Sequence, residues 1–256
     1  MKRLGLFLLL IFAAISVFAG DLMIVFIGNS ITYGAHLEDK VNDAPPVKAA
    51  KFISELTGRK VEFRNCGVSG KTTLDFLPIT GTHFPKVVAA ARELTKAGGD
   101  LLFSISLGTN DSASSTAFGA PVVKEGYYTN MKAIVDELLQ LFPDCKVVIQ
   151  QPIWYSPNTY NYNKARYLKA GLERLQTYFP MIPKLVEHYE EVCPGHVFMG
   201  DTEAFAFFRD NFLANFTPEN GNAGVFYLHP NREGAEILAR YWAKAIVKAI
   251  TSDAKK

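Results

Sequence analysis

What most constrains this chain is a regular alternation of five short apolar runs with longer amphipathic stretches. The runs are Leu22–Ile27, Val61–Asn65, Leu101–Leu107, Lys146–Gln150 and His196–Met199. Most are near-continuous in apolar and β-branched residues, the pattern of strands buried on both faces. Val61–Asn65 alternates polar with apolar residues and reads as an edge-exposed strand. Helices are predicted over 47–56, 84–96 and 127–141, and within 162–192 with breaks at Pro180 and Pro183. A last helix is predicted over 233–250, with Ile237, Leu238, Tyr241, Trp242, Ala245 and Ile246 on its apolar face. Strand and helix in alternation imply an α/β chain: a three-layer α/β/α sandwich around a five-stranded parallel sheet. Ligands of such sheets sit at the carboxyl ends of the strands, so the polar residues that follow each run are the ones to inspect.

The start of the sequence differs in kind from the rest. Met1-Lys2-Arg3 is basic, Leu4 to Val17 is apolar apart from Gly5 and Ser16, and small residues follow at Ala19-Gly20. This reads as a signal peptide over 1–20 followed by one domain over 21–256, and hence as a secreted or periplasmic protein. The apolar run is shorter than the ~18 residues of a transmembrane helix, so no stable membrane insertion is expected after its removal. No repeat, low-complexity linker or hinge divides the remainder. A net charge of +2 without a basic stripe excludes nucleic acid as the expected partner. Cys66, Cys145 and Cys193 are too widely spaced for a zinc site or a disulfide framework and are expected to fill core space.

Four short motifs follow strands or precede the last helix. They are Gly28-Asn29-Ser30-Ile31-Thr32-Tyr33-Gly34, Asn65-Cys66-Gly67-Val68-Ser69-Gly70-Lys71-Thr72, Gly108-Thr109-Asn110-Asp111 and Leu228-His229-Pro230-Asn231. Any one alone reads as a turn, a strand exit or a helix cap. Their combination, in this order, resembles the four blocks of the SGNH hydrolases, also called the GDSL family, over essentially the whole chain after residue 20. The wording of the first two blocks is similar to that of bacterial sialate or carbohydrate O-acetylesterase-like members.

The resemblance implies a flavodoxin-like hydrolase fold and a serine esterase. Ser30 is then the nucleophile and His229 its base, with oxyanion donors from the backbone N–H of Ser30 and Gly70 and the side-chain amide of Asn110. The Gly-x-Ser-x-Gly elbow of α/β-hydrolases is absent around Ser30, which argues against that other serine-esterase fold. The sequence departs from the family at one position. Asp usually stands three residues before the histidine, and here that residue is Phe226. Three arrangements compete: a Ser-His dyad, a carboxylate recruited from Asp201, Glu203 or Glu219, or loss of catalysis with a binding protein left behind. Retention of all four blocks favours the first two.

The expected substrate is a short acyl ester, O-acetyl above all, on a carbohydrate. The alternatives are a lysophospholipase or thioesterase-type activity on the same fold and a non-catalytic carbohydrate-binding homologue. Trp154, Tyr155, Tyr160, Tyr162, Phe226 and Tyr227 are candidates for stacking on sugar rings or, as readily, for packing loops onto the domain. His36 and His83 follow the first two blocks, where they line the crevice or sit in solvated loops; His188 and His196 read as structural. No His/Asp/Glu spacing suits a metal, and neither metal nor cofactor is expected.

Overall fold

The computed structural model describes residues 20–252 apart from 116, 163 and 164; the signal peptide expected over 1–20 lies almost wholly outside them. Among the described residues the strands are β1 Leu22–Gly28, β2 Val61–Gly67, β3 Asp100–Ser106, β4 Lys146–Ile149, β5 Val197–Met199, β6 Phe216–Gly221 and β7 Gly224–Pro230. The helices are α1 Ser30–Tyr33, α2 Lys40–Asp43, α3 Pro45–Thr57, α4 Phe84–Leu94, α5 Lys124–Leu141, α6 Leu168–Thr177, α7 Met181–Val192, α8 Ala204–Asp210, α9 Phe212–Asn215 and α10 Arg232–Ser252. The first five strands form one parallel sheet in the order β2-β1-β3-β4-β5.

The central strand β1 shows why its sequence is apolar throughout. Side chains alternate between the faces of a strand. Met23, Val25 and Ile27 join a core with α4, α5 and α7 on one side. Leu22, Ile24 and Phe26 join a second core with α3, α8 and α10 on the other. Neither face of β1 reaches water, so neither tolerates a polar residue. β2 lies at the sheet edge and is only partly buried, as its alternation predicts.

Three details depart from the sequence reading. The stretch 162–192 breaks once, between α6 and α7; Pro183 sits inside the first turn of α7, where its missing N–H has no helical partner to lose. The buried face of α10 is rotated from the predicted one. Ile237, Tyr241 and Ala245 are half-buried flanks, while Ala235, Ala239 and Ala243 are buried with Leu238, Trp242 and Ile246. These small side chains let α10 lie against α3. Finally, the segment before α10, where no strand is predicted, forms the antiparallel hairpin β6–β7, with Glu219 opposite Phe226.

Candidate active site

The three loops that leave β1, β2 and β3 meet the end of β7 at the carboxyl edge of the sheet. Asn29 caps the turn α1, its Oδ1 accepting the Ile31 N–H at 2.9 Å, and this sets Ser30 at the turn's start. A side chain at Gly28 would run into the Thr32 hydroxyl and the Ser106 carbonyl, so the strand can enter this turn only with glycine there. Asn65 ties the second loop to the first, donating to the Thr32 carbonyl at 2.9 Å and accepting from Gly67 N–H at 2.9 Å. Gly70 has φ +77° with open space around it. The left-handed backbone there favours glycine.

The third loop is fixed from below. Asp111 is buried and accepts from the backbone N–H of Thr73 at 3.0 Å and from the Thr73 hydroxyl. Asn130 of α5 donates to the same hydroxyl at 2.9 Å. Burial pushes the Asp111 carboxyl up to about 6, against the pull of the Thr73 hydrogen bonds. Its neighbour Asn110 donates from Nδ2 to the Lys71 carbonyl at 2.9 Å and accepts from the Tyr167 hydroxyl at 2.6 Å. Those two bonds fix which end of the amide is which, and Nδ2 retains a second hydrogen to give.

Ser30, Gly70, Asn110 and His229 all line one pocket of about 390 Å³, together with Ala35, His36, Ser69, Ala117, Asn161, Ala165, Tyr167 and Leu228. His229 Nε2 lies 2.9 Å from Ser30 Oγ. On its far side, Nδ1 lies 2.8 Å from Glu219 Oε1, and the His229 backbone N–H donates to the same oxygen at 3.2 Å. Of the three carboxylates named from sequence, Glu219 is therefore the one that meets the imidazole. Asp201 instead caps α8, accepting from Glu203 N–H at 3.0 Å and Ala204 N–H at 3.1 Å. A hydroxyl, an imidazole and a carboxylate in this sequence can carry nucleophilic acyl transfer.

The remaining candidates sort themselves. Phe226 is buried in the core and packs where a Cβ on Gly221 would fall. Trp154 packs against Phe212 and Phe216, Tyr155 is buried, and Tyr227 packs on Phe212. None of the aromatic residues singled out from sequence lines the pocket; Tyr167, which was not, does. His83 is buried beside Phe76, away from the pocket lining, and burial pulls its ring below the ordinary histidine value. His196 Nδ1 meets the Cys145 carbonyl at 2.8 Å, a structural contact. The three cysteines are unpaired, with burial pushing Cys66 up to about 11 and Cys145 up to about 12.

His36 does enter the site. Its ring stacks on that of His229 with centroids 4.5 Å apart and planes 21° apart, and its Nε2 lies 3.5 Å from Glu219 Oε2. His36, Glu219 and His229 thus bring possible metal-ligating atoms within 4.8 Å of one another, a grouping the chain order hides. Stacked rings run their edges side by side rather than aiming them at one point, and both already face the carboxylate. His229 Nδ1 is already hydrogen-bonded to Glu219 Oε1 at 2.8 Å, while His36 Nε2 stands 3.5 Å from Oε2, an ion-pair distance.

The profile of the GDSL-like lipase/acylhydrolase family matches residues 26–237. No curated protein matches the chain in sequence. Among solved structures, a carbohydrate acetylesterase from Sinorhizobium meliloti is similar with a TM-score of 0.60 at 16% identity, over 89% of this chain and 99% of its own. An acetylxylan esterase from Geobacillus stearothermophilus gives 0.59 at 17% identity, over 88% and 93%. An aryl esterase from M. smegmatis gives 0.57 at 18% identity, over 90% and 98%. At these identities the likeness is one of fold. Among the described residues, no helix is long and apolar enough to cross a membrane.

Proposed function

Since the chain belongs to the GDSL-like lipase/acylhydrolase family, and is thereby an acyl ester hydrolase, we propose that it removes a short acyl group, acetyl first among them, from a carbohydrate hydroxyl. The observation that carries this reading is the chain of contacts from Ser30 through His229, both on the wall of the pocket, to Glu219 behind them. In the proposed mechanism, Ser30 Oγ attacks the ester carbonyl carbon and its proton passes to His229 Nε2. Glu219 holds the Nδ1–H tautomer that leaves Nε2 free to accept that proton. The carbonyl oxygen becomes an oxyanion, facing the N–H groups of Ser30 and Gly70 and the free Nδ2 hydrogen of Asn110. Collapse breaks the ester C–O bond, and His229 returns the proton to the leaving sugar oxygen. Water then repeats the sequence on the acyl-serine and releases the acid. Each oxyanion donor of this kind contributes roughly 100- to 1,000-fold in rate.

The lining supports a compact, polar ester over a long acyl chain. Small apolar groups from Ala35, Ala117 and Ala165 alternate with Ser69, Asn161 and Tyr167. The structural neighbours whose names specify acetylated carbohydrates support the same substrate class. The basic and then apolar start of the sequence supports export; N-terminal sequencing of protein recovered outside the cytoplasm would expose a retained leader and refute it. The test of the chemistry is labelling by a fluorophosphonate probe and release of acetate from p-nitrophenyl acetate and from acetylated xylo- or mannooligosaccharides. Wild type should do both and Ser30→Ala neither. Folded wild type that fails both tests rules out the proposed activity, and activity retained in Ser30→Ala rules out the site.

A further inference from the structure

Resting on the reading of Ser30, His229 and Glu219 above, we propose that His36 is a positioning residue whose neutral ring braces the His229–Glu219 pair and whose protonation disables it. Three observations carry this. First, His36 covers one face of the His229 ring at 4.5 Å and presents Nε2 to the outer oxygen of Glu219 at 3.5 Å. The inner oxygen is already occupied by the ring and backbone N–H of His229. His36 therefore meets both partners at once.

Second, its backbone has φ +67°. A non-glycine residue in this region is uncommon, and such strain concentrates where function fixes a side chain. Third, the loop holding it belongs to the nucleophile. Gly34 and Ala35 donate to the Ser30 carbonyl at 3.1 and 2.9 Å, and Leu37 donates to Gly34 at 3.3 Å. Ring and loop together connect the Ser30 turn to the hairpin that bears Glu219 and His229.

The chemistry follows from the charge that develops on the pair. When Ser30 attacks, His229 becomes an imidazolium. A neutral imidazole stacked on it offers its π-face and keeps water from that side. A protonated His36 repels the same charge and draws Glu219 away from His229. The groups facing His36 are Glu219 on β6 and His229 on β7. Glu38 and Asp39 of its own loop, Asp43 of α2 and Arg232 of α10 surround the adjoining pocket. Burial, then the positive charge of His229, holds His36 below the ordinary histidine value, with Glu219 opposing. The brace is therefore neutral at and above neutral pH and is lost on acidification.

The experiment is kcat and KM for p-nitrophenyl acetate from pH 4.5 to 9 in wild type, His36→Asn and Ser30→Ala. Asparagine tolerates the left-handed backbone but carries no titrating ring. The expected result is an acid limb of log kcat approaching slope 2 in wild type and slope 1 in His36→Asn. At pH 8 kcat should fall roughly 3- to 30-fold with KM within about twofold. An unchanged limb with unchanged kcat overturns the proposal, and so does a raised KM at full kcat, which would make His36 a substrate contact. Imidazole NMR of the wild-type protein tests it without a variant: protonation of His36 should move the His229 ring resonances, and His229 signals that ignore the charge on His36 overturn it. If Ser30→Ala remains active, it is the underlying reading of the site that has failed.

Discussion

Replacing Glu219 gives the sharpest test of how the imidazole is held, because Ala and Gln should differ widely. Glu219 Oε1 takes two donors from one residue, His229 Nδ1 at 2.8 Å and His229 backbone N–H at 3.2 Å. In Glu219→Ala both lose their acceptor and the tautomer is no longer chosen. A hydrogen bond to a charged group contributes about 1.5–3 kcal/mol, or roughly 10- to 150-fold in rate at ~1.4 kcal/mol per tenfold. Loss of the correct tautomer adds to this, and orienter removal in a working triad reaches ~10,000-fold. We expect kcat to fall by roughly 1,000-fold. In Glu219→Gln the backbone N–H rejects the amide NH2 end, so the carbonyl end must occupy the Oε1 position. The tautomer is kept, and the NH2 end faces His36 Nε2, which can accept from it. Only the charge is lost, so kcat should fall roughly 10-fold. Steady-state hydrolysis of p-nitrophenyl acetate at pH 8, with thermal melts to confirm folding, reads both. Ala within threefold of wild type would remove Glu219 from the mechanism, and Gln as impaired as Ala would refute the argument from the backbone donor.

Asn110→Ala should lower kcat roughly 100- to 1,000-fold, and Tyr167→Phe roughly 3- to 10-fold through loss of the bond that orients the amide; equal kcat in Tyr167→Phe and wild type would refute the orienting role. Phe226→Ala opens a cavity in the core beneath the hairpin and should cost about 3–5 kcal/mol, lowering Tm by roughly 6–20 °C in calorimetry. Asp111 has its folded-state value raised from 3.8 to about 6, so the native chain holds a proton that the unfolded chain releases. Its contribution is full below pH 3.8 and is lost as pH rises through 6, amounting to about 3 kcal/mol for a two-unit shift. Wild type should therefore lose stability relative to Asp111→Asn between pH 4 and 7 in urea melts, and a pH-independent difference would contradict the burial argument.

The sheet and the four loops are legible in the sequence because their physics is local. A strand such as Leu22–Gly28, buried on both faces, must be apolar at every position, and the motif that follows must stand at its carboxyl end. What is not local is less legible. Glu219 stands ten residues before His229 and reaches it only through the register of a hairpin. Its strand, Phe216-Thr-Pro-Glu-Asn-Gly, contains a proline, which hides it as a strand. A signal does exist in Gly221-Asn222-Ala223-Gly224, a two-residue turn flanked by glycines. Tyr167 has no such signal, and His36 has only its position after the first block, which places it near the crevice without naming its partners. One acts on an amide 57 positions away, and the other gains its place by crossing from the nucleophile's loop to the hairpin.

The hairpin also explains how Phe226 and a carboxylate orienter are compatible. Glu219 and Phe226 are direct partners across the two strands, so a point near the His229 ring can be approached from either side of the pair. Glutamate carries one more methylene than aspartate, and from the facing strand that extra reach lets Oε1 meet both N–H groups of His229. Position 226 is then released to the core, where its ring lies close over Gly221 and anchors the hairpin. The exchange has a second consequence. A carboxylate on β6 turns its outer oxygen toward the loop after α1, and that is where His36 meets it. Phe226 in the core and His36 against Glu219 are therefore both consequences of a carboxylate carried on β6. In that arrangement the Glu219 carboxylate faces two stacked imidazoles, and the Phe226 ring beside it holds the hairpin in place.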